Sequence, residues 1–450
     1  MKQLPLILFF LFLAVSCVDD THVETPTDPS YVFDSKALPD VHLQITVDEW
    51  NKLLKYFDQN PNNEENVEAS MIFAKNGQEH EVKKVGLRLR GNTSRRRPEG
   101  VLGELHQSID TDWHHASFSV DINRFVAGQR FAGLKKINLK WFKDDPLYVR
   151  EVYCYDLFER FGVWTAPQSS YCRLFLQVGK TKMVYFGVYQ LLEAVDSEFL
   201  TSRSTGFGAQ EGFLWKANWG ANFRSADGSK MDIERVTLTE TYVPVYDLKN
   251  RPAELAIARD QLAEFISKYN SLKGTTFKEW VVTRMDVPLF LKTYAVNVMC
   301  GMWDDYWNNQ NNFYFYFDAT GKFYFIPFDY DNTLGTSLIM SDSGRRDLLK
   351  WGDSRNPLVA KLLEITEFRS LYIGYLHELR DPANDLFTYE RSRTRILQWH
   401  ALIGNHIAND TGEDMEIADQ PASWGNCSFY RLLEPTNNFF VIRASNIPAK

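Results

Sequence analysis

Alternating apolar and polar positions dominate the first half of the chain and predict a β-rich region. Residues 41–47 (VHLQITV) alternate, and residues 69–91 form two alternating runs joined by the turn-forming pair Asn76–Gly77. Further strands are predicted at 117–123, at 135–140 and as a pair within 171–193. Between the first two strands, DEWNKLLKYF (48–57) has the spacing of a short amphipathic helix.

Helical spacing replaces alternation in the second half. Helices are predicted within the ranges 252–272, 287–304, 356–380 and 389–407. An earlier helix is predicted to open at Asp145–Pro146 and to stop at Gly162. Strands that come mainly first, followed by helices, indicate an α+β protein.

One β-hairpin interrupts the helical half. The aromatic runs 313–317 (FYFYF) and 323–328 (FYFIPF) flank the short connection DATGK, in which Asp318 has the chemistry of a turn residue. Acids and amides crowd both outer ends: Asp304, Asp305, Asn308, Asn309, Asn311, Asn312, Asp329, Asp331 and Asn332. Pairing brings these ends together, and Mg²⁺ prefers such oxygen ligands. A metal or catalytic site is predicted here; the alternative is that these residues only form turns and caps.

The length, composition and net charge of the chain limit the classes of function that it can have. The chain has 450 residues, of which 44% are hydrophobic and 14% aromatic, and this composition suits a large, well-packed soluble body. A net charge of −8 argues against a general nucleic-acid-binding surface, which needs a basic face. After residue 17, no run is long and apolar enough to cross a bilayer.

Residues 1–17 have the pattern of a lipoprotein signal peptide. Lys2 precedes the apolar run LPLILFFLFLAV, which leads to Ser16 and Cys17. Lipidation at Cys17 is predicted, and the acidic pair at 19–20 resembles the surface-export signal of Bacteroidetes lipoproteins. We therefore expect an exported outer-membrane lipoprotein, periplasmic or surface-exposed, that contacts the membrane only through its lipid. The alternative is an ordinary cleaved signal peptide.

Two features accompany this export signal. Residues 18–37 are polar and rich in Pro and Thr, which predicts a flexible tether before a globular domain at 38–450. The remaining cysteines are Cys154, Cys172, Cys300 and Cys427. They lack the spacing of a zinc site, and both two disulfides and four buried thiols fit the pattern.

Four motifs resemble those of the CotH (spore coat protein H) kinase family. They are RGNTSR (90–95), INLKWFKDDPLYVREVYCYDLFERFGV (137–163), YFGVYQLLEAVD (185–196) and the hairpin region with WDD, NNFYFYF and GKFYFIPFDYDNTLG (303–335). The resemblance extends over residues 80–445. It implies an atypical protein-kinase-like fold of two lobes, with a β-rich N-lobe at about 38–195 and a helical C-lobe at about 196–450.

The resemblance also implies roles for individual residues. A phosphate-covering loop would comprise Arg90, Gly91, Asn92, Ser94 and Arg95. Lys140 would bind the nucleotide phosphates, held by Glu151, and Glu193 would line the nucleotide pocket. Asp304 would be the catalytic acid, with Asp305 as the alternative. The metal ligands would be Asn312, Asp329 and Asp331, of which Asp331 is alternatively a structural acid that caps the next turn.

The implied activity is phosphoryl transfer from ATP, with Mg²⁺ or else Mn²⁺, to a protein Ser/Thr or another hydroxyl acceptor such as a glycan. Ser119 and Asp121 stand where many members of the family have lysines. The alternatives are a catalytically inactive kinase-like protein and a surface lipoprotein that binds a glycan or another partner.

Overall fold

The computed structural model describes residues 26–92, 94–109, 112–209, 211–226, 234–236, 242–336, 344–407, 434–436 and 438–449. The predicted signal peptide, its Cys17 and Cys427 lie outside these ranges.

Seven strands of the first half close into a barrel, which confirms the predicted strands and the turn at Asn76–Gly77. The strands are β1 (Asp40–Ile45), β2 (Val67–Lys75), β3 (Gln78–Leu89), β4 (Phe118–Asp121), β5 (Lys136–Lys140), β6 (Ser169–Val178) and β7 (Val184–Glu193). Their order around the barrel is β1-β2-β3-β4-β5-β7-β6. β1 pairs in parallel with β6 and so closes the sheet, whereas the other neighbours are antiparallel.

Part of the predicted tether is packed against this barrel. Helix α1 (Ser30–Phe33) buries Val32 and Phe33 in the barrel core. The ammonium of Lys75 donates to the carbonyls of Tyr31 and Asp34 at 2.8 and 3.0 Å. The prediction that the tether runs to residue 37 is therefore wrong, because two apolar side chains and a buried lysine fix its last residues.

Two helices belong to this first half. Helix α2 (Val47–Gln59) confirms the predicted amphipathic helix and is capped by Thr46, whose hydroxyl accepts from the amide of Glu49. Helix α3 (Arg150–Arg160) begins five residues later than predicted. The carboxylate of Asp145 instead accepts the amides of Leu147, Val149 and Arg150, which forms a turn ahead of the helix.

A second sheet contains the predicted hairpin. Its strands are β8 (Phe213–Ala217), β11 (Tyr246–Leu248), β12 (Phe313–Phe317) and β13 (Phe323–Pro327), in the order β11-β8-β12-β13. Strands β9 (Glu234–Val236) and β10 (Tyr242–Pro244) form a separate pair. Asp318 caps the hairpin turn, where it accepts from the amides of Thr320 and Lys322. Both hairpin strands are almost entirely buried.

Helices surround this sheet. They are α4 (Ser197–Ser202), α5 (Ser204–Phe207), α6 (Leu255–Ser271), α7 (Gly274–Arg284), α8 (Val287–Cys300), α9 (Pro357–Leu363), α10 (Thr366–Leu379), α11 (Tyr389–Ile403) and α12 (Phe439–Ser445), with 3-10 turns at Pro252–Glu254 and Gly404–His406. Among the described helices, none combines the length and apolar composition needed to cross a membrane.

The protein is thus a mixed α+β structure with two hydrophobic cores. One core fills the barrel, and the other joins α3, the second sheet and the later helices. The β-rich region predicted from the sequence takes the form of a closed barrel, which the alternation of residues did not reveal. Cys154, Cys172 and Cys300 are buried and carry free thiols. Cys172 lies in the barrel core, and Cys154 and Cys300 lie in the other core.

Candidate active site

Three carboxylates from two segments converge on the ammonium of Lys140. Its Nζ lies 2.6 Å from Oε2 of Glu151 and 3.0 Å from Oδ2 of Asp331, and it also contacts Oδ1 of Asp329. Lys140 ends strand β5, Glu151 lies in the first turn of α3, and both aspartates follow β13. Burial alone would lower the pKa of Lys140, but these carboxylates outweigh it and hold the pKa well above its usual value. Lys140 is therefore charged.

Two hydrogen bonds fix these acids. The second oxygen of Glu151 accepts the amide of Tyr330 at 3.0 Å, which ties α3 to the segment after the hairpin. The amide of Asp329 donates to the hydroxyl of Tyr155 at 3.0 Å. Asp329 has φ +61°, a left-handed conformation that non-glycine residues seldom adopt. Such strain is concentrated at functional sites, where the surrounding structure must enforce it.

The cluster carries more negative than positive charge. Burial raises the pKa of Asp329, but the adjacent Lys140 more than compensates and lowers it overall, whereas burial keeps the pKa of Asp331 well above its usual value. One ammonium thus serves three carboxyl groups. Within the described ranges, no group of three or more His, Cys, Asp or Glu side chains is already arranged around a cation position. Lys140 occupies the place between the acids, but their oxygens are the donors that a hard divalent cation takes.

Asp304 lies at the other outer end of the hairpin, within electrostatic range of Asp329. Its Oδ1 accepts from Nδ2 of Asn309 at 2.6 Å, and its Oδ2 accepts from Nδ2 of Asn312 at 2.9 Å. Burial is the main cause that raises the pKa of Asp304 to about 6, and the negative charge of Asp329 adds to the effect. The carboxyl group is therefore poised to exchange a proton near neutral pH.

Asp305 has a different role from its neighbour. It is 2% exposed and accepts from four donors: Nδ2 of Asn297 at 2.6 Å, Nε1 of Trp351 at 3.0 Å, and both the backbone amide and Nδ2 of Asn308 at 2.7 and 2.9 Å. These donors use its lone pairs fully. The alternative prediction that Asp305 is the catalytic acid is wrong, because its carboxylate holds the loop together.

Asn312 holds the loop that carries Asp304. Its Nδ2 donates to the carboxylate and the carbonyl of Asp304, while its Oδ1 accepts no hydrogen bond from any described residue. Its φ of +56° is again left-handed. The amide oxygen thus remains available for a cation, although the structure does not bring Asn312 into contact with Lys140, Asp329 or Asp331.

The predicted phosphate loop is only partly directed at a ligand. Gly91 has φ +112°, and a Cβ there would lie 2.6 Å from Oγ of Ser94, so only glycine fits this turn. Arg95 points inwards and donates to the carbonyls of Gly91, Pro61 and Asn63. The prediction that Arg95 binds nucleotide is therefore wrong: it anchors the loop. Asn92 and Ser94 keep at least part of their surface exposed.

Two cations near the cluster have no direct side-chain partner in the described part of the chain. Arg90 lowers the pKa of both Lys140 and Asp329, and Lys216 also lowers that of Asp329, so both charges lie within electrostatic range of the acids. Neither side chain forms a hydrogen bond or ion pair with a described residue. Lys216 was not among the predicted site residues. Its place in strand β8 (Phe213–Ala217), which pairs with the hairpin strand β12, brings it towards the acids and could not be read from the local sequence.

Glu193 does not join this site. Its carboxylate forms a two-pronged ion pair with Arg203, at 2.8 and 2.7 Å, and also accepts the amide of Gln168 at 2.9 Å. The side chain is 1% exposed. We correct its predicted role: the carboxylate joins the end of β7 to helix α4 and is not free to bind a nucleotide.

A family model, CotH kinase protein, matches residues 87–430. The chain belongs to the CotH kinase family. The match covers most of the chain and includes all the candidate residues from Arg90 to Asp331. No curated protein shows significant similarity to the chain. Family membership supports a kinase-like protein in general, for which ATP and a divalent metal are the usual cofactors.

Proposed function

We propose that this CotH kinase family member transfers a phosphoryl group from Mg·ATP to a hydroxyl acceptor. The observation that carries the proposal is the ion pair between Lys140 and Glu151, 2.6 Å apart, beside Asp329 and Asp331. A strand lysine held by a helix glutamate, next to metal-binding acids, is the arrangement with which kinases hold nucleotide phosphates. On this proposal, the barrel would form the core of one lobe, and the second sheet with the later helices would form the other.

The charges around the cluster support a nucleotide-phosphate site. Lys140, Arg90 and Lys216 supply positive charge, and the Gly91 turn allows the backbone to approach closely. Asp329, Asp331 and the free oxygen of Asn312 would hold Mg²⁺. When bound, Mg²⁺ neutralises the charge that develops on the phosphate oxygens. Lys140 would then be released from the aspartates to the phosphates while it keeps Glu151.

Asp304 would serve as the base that orients the acceptor. The acceptor oxygen forms a bond to the γ-phosphorus, the bond from that phosphorus to the bridging oxygen breaks, and ADP leaves with the bonding electrons. The hydroxyl proton passes to the carboxylate of Asp304 and then to water. A pKa of about 6 leaves Asp304 mainly ionised at pH 7 and able to accept this proton.

We also propose that the protein is an exported lipoprotein anchored through Cys17 in the outer membrane. The apolar run that ends at Ser16–Cys17 supports this proposal. The acceptor would then lie in the periplasm or at the cell surface.

The central experiment measures Mg·ATP binding and phosphate transfer side by side. Thermal shift with ATP, with and without Mg²⁺, should show stabilisation that requires both. Labelled ATP should transfer phosphate to an acceptor with wild type and at least a hundredfold more slowly with Asp304→Asn. Glu264→Gln is the matched control, because this exposed carboxylate forms an ion pair with Lys268 within helix α6 and with no other residue that the structure describes. Binding without transfer to any acceptor would instead favour a catalytically inactive kinase-like protein.

A further inference from the structure

An exposed tryptophan stands beside the proposed catalytic acid. Trp219 is 54% exposed, and it is the sole tryptophan in the described part of the chain whose ring is mainly open to solvent. The protein buries its other described tryptophans wholly or in large part. Exposure of an indole costs hydrophobic free energy, and an aromatic side chain on the surface near a catalytic group is typical of binding sites.

Trp219 is held in a fixed position relative to Asp304. Its Nε1 donates to Oδ1 of Asn309 at 3.1 Å, and Nδ2 of the same Asn309 donates to Oδ1 of Asp304 at 2.6 Å. A single amide group therefore separates the indole from the carboxylate. A ligand that binds against the indole would therefore lie close to the loop that carries Asp304.

The loop that carries Trp219 is pinned to the same segment by two further contacts. The amide of Gly220 donates to the carbonyl of Gln310 at 3.0 Å, and Nδ2 of Asn222 donates to Oε1 of Gln310 at 3.2 Å. Gln310 has φ +57°, so the turn on which these contacts converge is itself strained. The exposed indole is thus part of a fixed arrangement and not a mobile surface side chain.

The side-chain contacts described for this loop and its neighbouring segment are made by amides. Asn222, Asn309 and Gln310 lie on the two contacting segments, and each amide group both donates and accepts hydrogen bonds. A sugar ring has an apolar C–H face and a polar rim of hydroxyls. An indole can cover the first, and amides can bind the second. The combination suits a saccharide better than a peptide, which would need pockets for side chains or an open strand edge.

We propose that the acceptor is a saccharide hydroxyl, with Trp219 as the stacking platform that presents the sugar to Asp304. This inference rests on the proposed function and names its substrate class. The sugar oxygen forms the new bond to the γ-phosphorus, ADP departs, and the hydroxyl proton passes to Asp304. Asn309 is a positioning residue, since it holds both the indole and the carboxylate.

The test uses the full chain with four neutral probes: cellotetraose, maltotetraose, mannotetraose and xylotetraose. Dephosphorylated casein serves as the protein acceptor. Transfer from labelled Mg·ATP is measured for wild type, Trp219→Ala, Trp219→Phe and Phe125→Ala. The last variant is a matched control, because Phe125 is also exposed, at 44%, and belongs to the segment between β4 and β5.

We expect wild type to label at least one saccharide. Trp219→Ala should raise its KM at least tenfold, Trp219→Phe should raise it less because a ring remains, and Phe125→Ala should leave it unchanged. The KM for Mg·ATP should stay constant in all three variants. Label in casein but in no saccharide, or a saccharide KM within twofold of wild type in Trp219→Ala, would overturn the inference.

A second measurement separates this inference from the proposed function. Isothermal titration of the same four probes into wild type and Trp219→Ala, without ATP, requires no chemistry. If Mg·ATP fails to stabilise the protein but a probe binds in a Trp219-dependent way, the phosphotransfer proposal fails and the saccharide site survives. If Mg·ATP binds and no probe shows Trp219-dependent binding or labelling, the saccharide inference fails alone.

Discussion

Replacement of Asp304 by Asn should make the protein more stable while it slows phosphate transfer at least a hundredfold. Burial raises the pKa of this carboxyl group from 3.8 to about 6, so its ionised form is less stable in the folded protein than in the unfolded chain. A difference of roughly two units corresponds to about 3 kcal/mol at neutral pH. The new amide would face an amide NH₂ of Asn309 or Asn312, which loses one hydrogen bond and costs about 1 kcal/mol. A net gain of roughly 1–2 kcal/mol remains.

The pH dependence distinguishes this explanation from a general effect of the substitution. A group whose pKa is higher in the folded state contributes fully to the free energy of unfolding at pH values below its pKa in the unfolded chain. That contribution is lost as the pH rises through its pKa in the folded state. Wild type should therefore lose stability relative to Asp304→Asn between pH 4 and about 6.5, with a constant gap at higher pH. At pH 4 the variant should be slightly less stable than wild type, because the carboxyl group of wild type is then protonated and the lost hydrogen bond is the remaining difference.

Differential scanning calorimetry from pH 4 to 8 provides the measurement. For 450 residues, 1 kcal/mol corresponds to a change in Tm of about 1 °C, so a gain of roughly 1–2 °C is expected at pH 8. Asp305→Asn is the matched control one residue away. Burial also raises the pKa of Asp305, but an amide NH₂ there would oppose the donors of Asn297 and Trp351 or those of Asn308. We expect this loss of two hydrogen bonds to outweigh the removal of a buried charge, so Asp305→Asn should lose stability. A loss of stability in Asp304→Asn at pH 8, or a gap that does not change with pH, would refute the reasoning.

Three further predictions concern Mg²⁺ binding at Asp329, the ammonium of Lys140 and the lipid anchor at Cys17. Asp329→Ala should abolish the Mg²⁺-dependent part of the stabilisation by ATP, which thermal shift detects, and undiminished Mg·ATP stabilisation would exclude Asp329 as a ligand. Lys140→Met should lower the Tm in the absence of metal, because Glu151, Asp329 and Asp331 lose the cation that they share. Millimolar Mg²⁺ should restore part of this loss. A Tm of the variant that Mg²⁺ leaves unchanged would contradict this prediction. Cys17→Ala should move the protein out of the membrane fraction or stall its processing, and mass spectrometry of wild type showing an unmodified mature N-terminus beyond Cys17 would argue against lipidation.

The local elements of the fold could be predicted from the sequence because their signals lie within a few residues of one another. The alternation of apolar and polar residues predicted most barrel strands and the hairpin. The pair Asn76–Gly77 predicted the turn between β2 and β3, and Gly162 predicted the end of helix α3. The onset of α3 was missed because Asp145 satisfies the same amides as a helix cap while it forms a different turn. Nothing local distinguishes the two conformations.

The sequence by itself determined which residues could form the site: a strand lysine, a helix glutamate and acids at both ends of a hairpin. Which of them work together was decided only by tertiary structure. Lys140 meets Asp329 across 189 residues of chain, a contact that requires the barrel and the second sheet to pack together. The neighbours Asp304 and Asp305 differ because the loop aims one at the site and the other at Trp351 and Asn297. The local sequence cannot distinguish these two aspartates, because the residues that bury each carboxylate, and several of those that donate hydrogen bonds to it, come from segments distant in sequence.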